Sequence, residues 1–437
     1  MPHFVIVCPE DAGHLLSLGP IGNALVCRGH RVTILARAQA ASIAERLNLP
    51  LHPLNTDGIP RPRFLPLWLA FALFGSGWKI VMRNSFRWRA EAILQRVPQA
   101  LTELAADGLI LDHTIGAGGT AAERVGIPFV TICSALLWHE EVGVPPAFTA
   151  WAYAEGRRAR LRNRLGYAGW HWFMRPVLKA INRHRIAWNL RPLRRIDDGF
   201  SPLAQISQLC REFDFPRREL PPHFHYVGSL AARRTTSVGP DFPWDRLDGR
   251  PLIFASLGTV PDPTNLPVFR KIAEACAGLN AQLVMTLGRW TDQHASVRER
   301  LGPLPGDPIL VDFAPQLALL DKAALLITHA GVNTVLEALE RSVPMVALPR
   351  SVDQLGMGSR IEHAGVGLCT SFHRCRPEVL RGLIERVLTD DAFRQRGRRL
   401  QQAMIAAGGA ERAAEIAEEA LTTRQPVLRS HGMGSAR

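Results

Sequence analysis

The stretch from Phe313 to Gln354 concentrates side chains suited to holding phosphate and sugar. The apolar run Ala324 to Thr328 is followed at once by His329, Ala330 and Gly331, and Asn333 then opens the helical pattern NTVLEALERS. Strand, tight turn and helix start therefore coincide. A helix N-terminus carries unpaired N–H groups and a partial positive charge, so it can hold an anion without a metal. Gly331 permits close approach of that anion. His329, Asn333 and Thr334 add donors at the same end, and Glu337, one turn on, suits the two hydroxyls of a ribose. The competing use of the same residues is an ordinary turn capped by Asn and Thr.

The flanks favour the binding use. Upstream, Phe313-Ala-Pro-Gln316 offers an aromatic face for a base and a kinked backbone for its edge. Downstream, Val343 to Pro349 reads as another buried strand, leading to a loop with Asp353 and Gln354, an acid and an amide suited to sugar hydroxyls.

These residues resemble the donor-binding signature of the UDP-glycosyltransferases, the inverting class with two Rossmann domains (GT-B), and especially its bacterial zeaxanthin glucosyltransferase-like branch. The family pattern runs W-A-P-Q, H-x-G-x-N-S/T, a Glu eight residues after the His, G-V-P and a closing D-Q. His329, Gly331, Asn333, Thr334, Glu337, Pro344, Asp353 and Gln354 stand at those spacings. The resemblance implies that His329 contacts the pyrophosphate, Asn333 and Thr334 the phosphates, Glu337 the ribose, and Asp353 and Gln354 the sugar. Phe313 and Val332 stand where plant members have Trp, and the segment from Gln316 to His329 is two residues shorter. Phe can still stack on uracil, and thymine becomes possible.

The N-terminal part supplies the other half. His3 to Cys8 reads as a strand with no charged region ahead of it, hence a core element and not a secretion signal. The loop Pro9 to His14, a helix from Leu15 to Arg28 and a strand begun by Gly29-His30 complete a β-α-β unit. It lacks G-x-G-x-x-G, so no bound dinucleotide is indicated. P-x-x-x-G-H, a helix and R-G-H-x-V-T resemble the acceptor-domain start of the same glycosyltransferases, which implies that His14 is the catalytic base. Such a base needs a carboxylate on its far ring nitrogen. Asp112, ending the apolar segment Asp107 to Asp112, matches the family's partner Asp, although it could instead cap a small-residue helix from Thr114 to Val125, and His113 is a competitor beside it.

Resemblance extends to Ser201-Pro-Leu-Ala-Gln and Leu220 to Gly228, and Ile253 to Thr259 resembles the family's first donor-domain loop, where Ser256, Gly258 and Thr259 face the diphosphate. It covers nearly the whole chain.

At 437 residues and 47% hydrophobic content, two domains of ordinary size are expected, each an α/β unit of alternating strands and helices. The expected partition is an acceptor-binding domain over residues 1–235, a donor-binding domain over 236–421 and a disordered tail over 422–437. The boundary falls in the polar stretch from Ala231 to Asp241. Seven cysteines without a C-x-x-C pair give neither a disulfide framework nor a zinc site, which suits a reducing, cytoplasmic compartment.

The net charge of +13 is unevenly spread. From Arg157 to Arg195 there are eleven Arg, one Lys and no acid, interleaved with Trp170, Trp172, Phe173 and Trp188. Three readings stand: a solvated helical face, an anionic membrane surface, or nucleic acid. The absence of a recognisable nucleic-acid module weighs against the last. The apolar segment Phe64 to Phe74 is too short to cross a bilayer of ~30 Å as a helix. It could line an acceptor tunnel, dip into one leaflet, or form core.

The expected activity is an inverting transfer of a hexose, with glucose favoured by Gln354, from a UDP-sugar to a hydroxyl of a hydrophobic acceptor such as a carotenoid. No metal or further cofactor is expected, since no D-x-D motif is present and Asp197-Asp198 reads as a turn. A sugar-nucleotide epimerase of the same fold and a non-catalytic membrane- or nucleic-acid-binding protein are the rivals. The expected location is cytoplasmic, peripheral on the inner face of the membrane if the basic segment meets lipid.

Overall fold

The computed structural model of the chain describes residues 1–60, 77–231, 242–258, 265–288, 294–372 and 374–429. The segment Phe64 to Phe74, Thr259 and most of the polar boundary stretch lie outside them.

Apolar runs of five or six residues make the central parallel strands, and three-residue strands flank them, because a parallel sheet is covered by helices on each side. In the N-terminal half these are β1 (His3–Val7), β2 (Arg31–Ala36), β3 (Leu51–Pro53), β4 (Gly108–Asp112), β5 (Phe129–Cys133), β6 (Gln205–Ser207) and β7 (Phe224–Tyr226). They form one parallel sheet of order β3-β2-β1-β4-β5-β6-β7. The C-terminal half has β8 (Leu252–Ser256), β9 (Gln282–Thr286), β10 (Ile309–Val311), β11 (Ala323–Thr328), β12 (Met345–Ala347) and β13 (Gly367–Cys369), in the order β10-β9-β8-β11-β12-β13. Both sheets reverse their winding once, between β1 and β4 and between β8 and β11. Such reversals leave a crevice at the carboxyl ends of the strands, where ligands of open α/β sheets bind.

The helices that matter for the site are α1 (Ala12–Cys27) after β1, α2 (Ala41–Leu47), α3 (Gly77–Glu103), α4 (Gly118–Val125) after β4, and the 31-residue α5 (Arg157–Ala187). The second half contributes α6 (Leu266–Cys276), α7 (His294–Leu301), α8 (Gln316–Leu320), α9 (Val332–Leu339) after β11, and α10 (Asp353–His363) after β12. It continues with α11 (Pro377–Thr389), α12 (Asp391–Ala406) and α13 (Gly409–Thr423).

The two domains are present, but the expected partition needs correction at its end. α13 buries Ala413, Ala414, Ile416, Ala417, Ala420 and Leu421 in one cluster with Ile6, Leu18, Leu25 and Ile110 of the first sheet and its helices. It belongs to the N-terminal body, and α1 is its chief partner. Its apolar stripe shows in the sequence; which sheet it covers does not. The chain crosses back where Gly409 donates its N–H to the Val227 carbonyl. There Gly228, at φ 75°, approaches the Met404 carbonyl so closely that a Cβ would stand 2.5 Å from that oxygen. Only glycine fits such a position.

The expected disordered tail is likewise ordered as far as it is described. Val427 is buried and donates to the Leu203 carbonyl at 2.9 Å, and Arg429 donates to the Pro222 carbonyl at 2.9 Å. These pairings give Val427 and Arg429 backbone partners along the rim of the first domain.

Candidate active site

His14 lies in the first turn of α1, which begins at Ala12, two residues before the expected loop ends. Its Nδ1–H points to Asp112 Oδ2 at 2.9 Å, with Ser134 Oγ at 3.0 Å. Ser134 Oγ–H also donates to that carboxylate oxygen. The other oxygen of Asp112 accepts from the N–H and hydroxyl of Thr114. With Nδ1 carrying the proton, Nε2 keeps the lone pair of the neutral ring. The alternative use foreseen for Asp112 is not realised: the helix expected from Thr114 begins only at Gly118, with Ala117 as its N-cap and no side-chain cap, and the second oxygen of Asp112 instead closes the turn at Thr114.

The electrostatics of the pair oppose one another. Burial alone would lower the affinity of His14 for a proton, but the charge and hydrogen bond of Asp112, helped by Asp11 and Asp353, hold its pKa above the ordinary value. Burial would raise the Asp112 carboxyl, and the charge and hydrogen bond of His14, with His113 and Ser134, hold it well below the usual carboxylate range. His113 is not a second base. It is fully buried, its pKa lowered by desolvation, and its Nε2–H lies 3.2 Å from the Leu136 carbonyl, with the ring against Trp138 and Phe200.

Across the cleft, β8 and β11 run side by side with Ser256 opposite Thr328, so the turns that follow them meet. The His329 ring stands between their glycines. A Cβ on Gly258, which has φ 103°, would be 3.3 Å from the ring, and one on Gly331 would be 2.7 Å from Nε2. Burial lowers the His329 pKa to about 4, so the ring is neutral near pH 7 and can offer one N–H. Gly331 is the N-cap of α9, and Ala330 before it takes φ 65°. A non-glycine residue there is strained by of order 1 kcal/mol or more. A second strained residue, Val352 at φ 53°, immediately precedes Asp353 and Gln354 at the start of α10. Backbone strain of this kind gathers where a loop must present particular groups.

The remaining expected donor residues fall on the same side. Gln316, the first residue of α8, donates to Glu337 and reaches Thr334 Oγ1 at 3.5 Å, which joins the three into one corner. Phe313 is 38% exposed just ahead of it. Gln354 Oε1 accepts from the N–H of Arg350 at 3.1 Å and of Ser351 at 3.3 Å, fixing the turn that carries Asp353. Burial raises the Asp353 carboxyl, and the interaction with His14 lowers it, which links the two sides of the cleft.

Asn333 departs from the expectation. Its side-chain amide donates to the Gly13 carbonyl at 2.8 Å, and its oxygen accepts from Ser17 at 3.0 Å and Gln208 at 3.1 Å. The residue expected on the phosphates thus spans the cleft to the residue next to His14. Ser17, Ser134 and Gln208 were not singled out by the sequence. The available signal for Ser134 was a hydroxyl immediately beyond strand FVTIC, beside the strand ending in Asp112.

A cavity of about 460 Å³ lies in the N-terminal domain, walled by Trp138, Tyr167, Trp170, Trp172 and Met174, with Arg175 among its polar residues. A smaller one shares Trp138, Met174 and Ile196 with it and reaches Thr114, the partner of Asp112. Among the described residues no group of three or more His, Cys, Asp or Glu is placed to hold a metal ion, and no helix is long and apolar enough to cross a membrane.

Two parallel-sheet domains with their switch-point loops turned to a common cleft, a His–Asp pair on one side and a glycine-lined helix start on the other, define a glycosyltransferase of the GT-B class. The solved glycosyltransferase of kitacinnamycin superposes with a TM-score of 0.76 over 96% of this chain and all of its own, at 23% identity. VinC, solved in complex with dTDP, superposes with a TM-score of 0.67 over 95% of this chain and all of its own, at 20% identity. Residues 270–421 match the family model of the erythromycin biosynthesis protein CIII-like C-terminal domain. The chain is 34% identical to the zeaxanthin glucosyltransferase of Pantoea ananas over the whole of both proteins. It is 33% identical to that of Pseudescherichia vulneris, over 98% of this chain and all of the relative. The chain belongs to the glycosyltransferase family of these zeaxanthin glucosyltransferases.

Proposed function

We propose that the protein moves a hexose, glucose first among candidates, from a UDP-sugar to a hydroxyl of a hydrophobic isoprenoid or polyketide-like acceptor, a carotenoid diol being the leading case. The observation that carries this reading is that His14, held by Asp112, is joined through its neighbour Gly13 to Asn333 at the start of α9. A base and an anion-binding helix end then act on the same few ångströms of cleft.

In this reading Nε2 of His14 takes the proton of the acceptor hydroxyl as that oxygen bonds to the anomeric carbon. The bond from that carbon to the nucleotide oxygen breaks, the configuration inverts, and the nucleoside diphosphate leaves with the electron pair. Asp112 stabilises the imidazolium. The departing charge meets the N–H groups of α9, Ser256, the backbone of Gly258, Thr259 and the neutral His329. No divalent ion or other cofactor is called for. Phe313 stacks on the base, Gln316 and Glu337 take the base edge and ribose, Thr334 a phosphate, and Asp353 with Gln354 the sugar hydroxyls. Asn333 exchanges its cleft-spanning bonds for the phosphates, or keeps them and orders the cleft. The aromatic cavity receives the acceptor body. Function on the cytoplasmic side, at a membrane surface met by the Arg157 to Arg195 segment, completes the picture; no nucleic acid is involved.

Pure protein incubated with UDP- and dTDP-hexoses and a panel of lipophilic alcohols should yield acceptors heavier by one hexose. If no nucleotide sugar is consumed with any acceptor, the proposal fails. Turnover that survives His14→Ala undiminished would remove the base assignment while leaving the donor site standing.

A further inference from the structure

We infer that the outer face of α5 is a docking surface for an anionic lipid bilayer, on which the helix lies without crossing it, and that the aromatic cavity opens beside this surface. The proposal rests on the transfer reading above for the acceptor that enters the cavity.

The helix sorts its side chains by face. At 100° per residue, Leu161, Leu165, Trp172 and Ile186 fall within a sector of roughly 60°. They are 59%, 66%, 69% and 63% exposed. The opposite side, with Ala159, Tyr167, Met174, Val177 and Ile181, is buried in the domain. Lys179 lies on the exposed stripe, and exposed Arg157, Arg158, Arg164 and Arg175 border it. Among the described residues none of these five cations has a carboxylate within ion-pair distance, and α5 itself contains no acid.

Other cations of the segment serve the fold. Arg185 is buried with both nitrogens on Glu123 and a bond to Thr120, and Arg195 bonds Glu140. Arg162 donates to the Ala152 carbonyl and lies 5.0 Å over the Trp151 ring. The charge left outside is therefore what remains after the domain is built.

A solvated face would account for the outer arginines but not for four large apolar side chains aligned between them. A nucleic-acid backbone would engage the arginines and leave the apolar stripe unburied. An interfacial helix satisfies both: the stripe enters the boundary between headgroups and acyl chains, and the guanidinium heads stay among anionic phosphates. At ~1.5 Å per residue the helix offers roughly 46 Å of such contact. Trp172 and Arg175 line both this face and the cavity, so an apolar acceptor can pass from lipid to cavity without crossing water.

Sedimentation of the full chain with phosphatidylglycerol vesicles, compared with phosphatidylcholine vesicles, tests this. Two variants are informative: Leu161→Ser/Leu165→Ser/Ile186→Ser removes the apolar stripe outside the cavity, and Arg157→Glu/Arg158→Glu/Arg164→Glu reverses its border. Both should keep the wild-type melting temperature and lose at least about tenfold in binding to the anionic vesicles. With a lipophilic alcohol and a UDP-sugar, both should turn over normally in detergent micelles and fall about tenfold when the alcohol is embedded in anionic vesicles. Equal binding of the wild type to both vesicle types, unchanged binding by either variant, or preference for DNA over vesicles overturns the proposal. If the wild type shows no turnover even in micelles, the transfer reading fails, and sedimentation still decides the docking face.

Discussion

His14 works under two opposing pulls, burial favouring the neutral ring and Asp112 favouring the charged one. If the ring accepts the acceptor's proton, only its neutral form is active. Since Asp112 holds its pKa above the ordinary value of 6.5, kcat/KM should rise with pH through an inflection above 6.5. Asp112→Asn removes the charge and leaves the burial, so the inflection should move to lower pH while kcat drops by roughly 10² to 10⁴. A pH–rate profile of both proteins checks this; an unmoved inflection would assign the titration to another group. His14 was legible through the resemblance of its loop to the family's acceptor-domain start, and Asp112 because it ends an apolar strand. Ser134 was not, since its approach to Asp112 depends on β5 lying beside β4, a fact of sheet order that local sequence does not carry.

At the scale of elements, the donor side depends on two turns closing over one imidazole. Gly331→Ala keeps an allowed backbone, as the N-cap is extended at φ −64°, yet its Cβ would fall 2.7 Å from His329 Nε2. The ring must move, so affinity for the nucleoside diphosphate should fall by about tenfold or more, with the fold intact. Titration calorimetry with UDP, alongside a thermal melt, separates the two effects. Unchanged UDP binding would show that neither ring nor turn touches the ligand. Strand, turn and helix start could all be read from periodicity and from the residues around Gly331. The crossing of Asn333 to Gly13 could not, because it is made between residues of different domains. The same holds for α13, whose packing against the first sheet and its helices joins residues far apart in the chain.

At the scale of the whole molecule, two of the polar joints between the domains contrast. The first is charged and buried: Asp214 accepts from Arg360 of α10 at 2.7 Å and from Arg217 at 2.9 Å, with the Tyr226 hydroxyl donating at 2.7 Å. Arg360 also lies 4.3 Å over the Phe215 ring. Burial would raise the Asp214 carboxyl, but the charges of Arg360 and Arg217 hold it well below the usual range. Asp214→Ala leaves buried guanidinium groups without their anion and should cost about 3–5 kcal/mol, read from denaturant unfolding. The folded-state pKa is depressed, so this contribution is complete above the unfolded carboxyl value and is lost as pH falls through the folded one. Wild type should therefore lose stability towards acid more steeply than the variant; parallel curves would deny Asp214 that part.

The second joint is neutral and partly exposed: Asn333 on Gly13, Ser17 and Gln208. Bonds of this kind contribute about 1 kcal/mol each, less than the charged joint. The residue it grips is next to His14. In the transfer reading, the donor side is thereby fastened to the backbone beside the base. The ring of His14 is oriented within its own domain by Asp112 and Ser134, so the Asn333 contact sets not its direction but its distance from the other half. In that reading, proton acceptor and sugar share one reach of cleft because a single asparagine measures the gap between the halves.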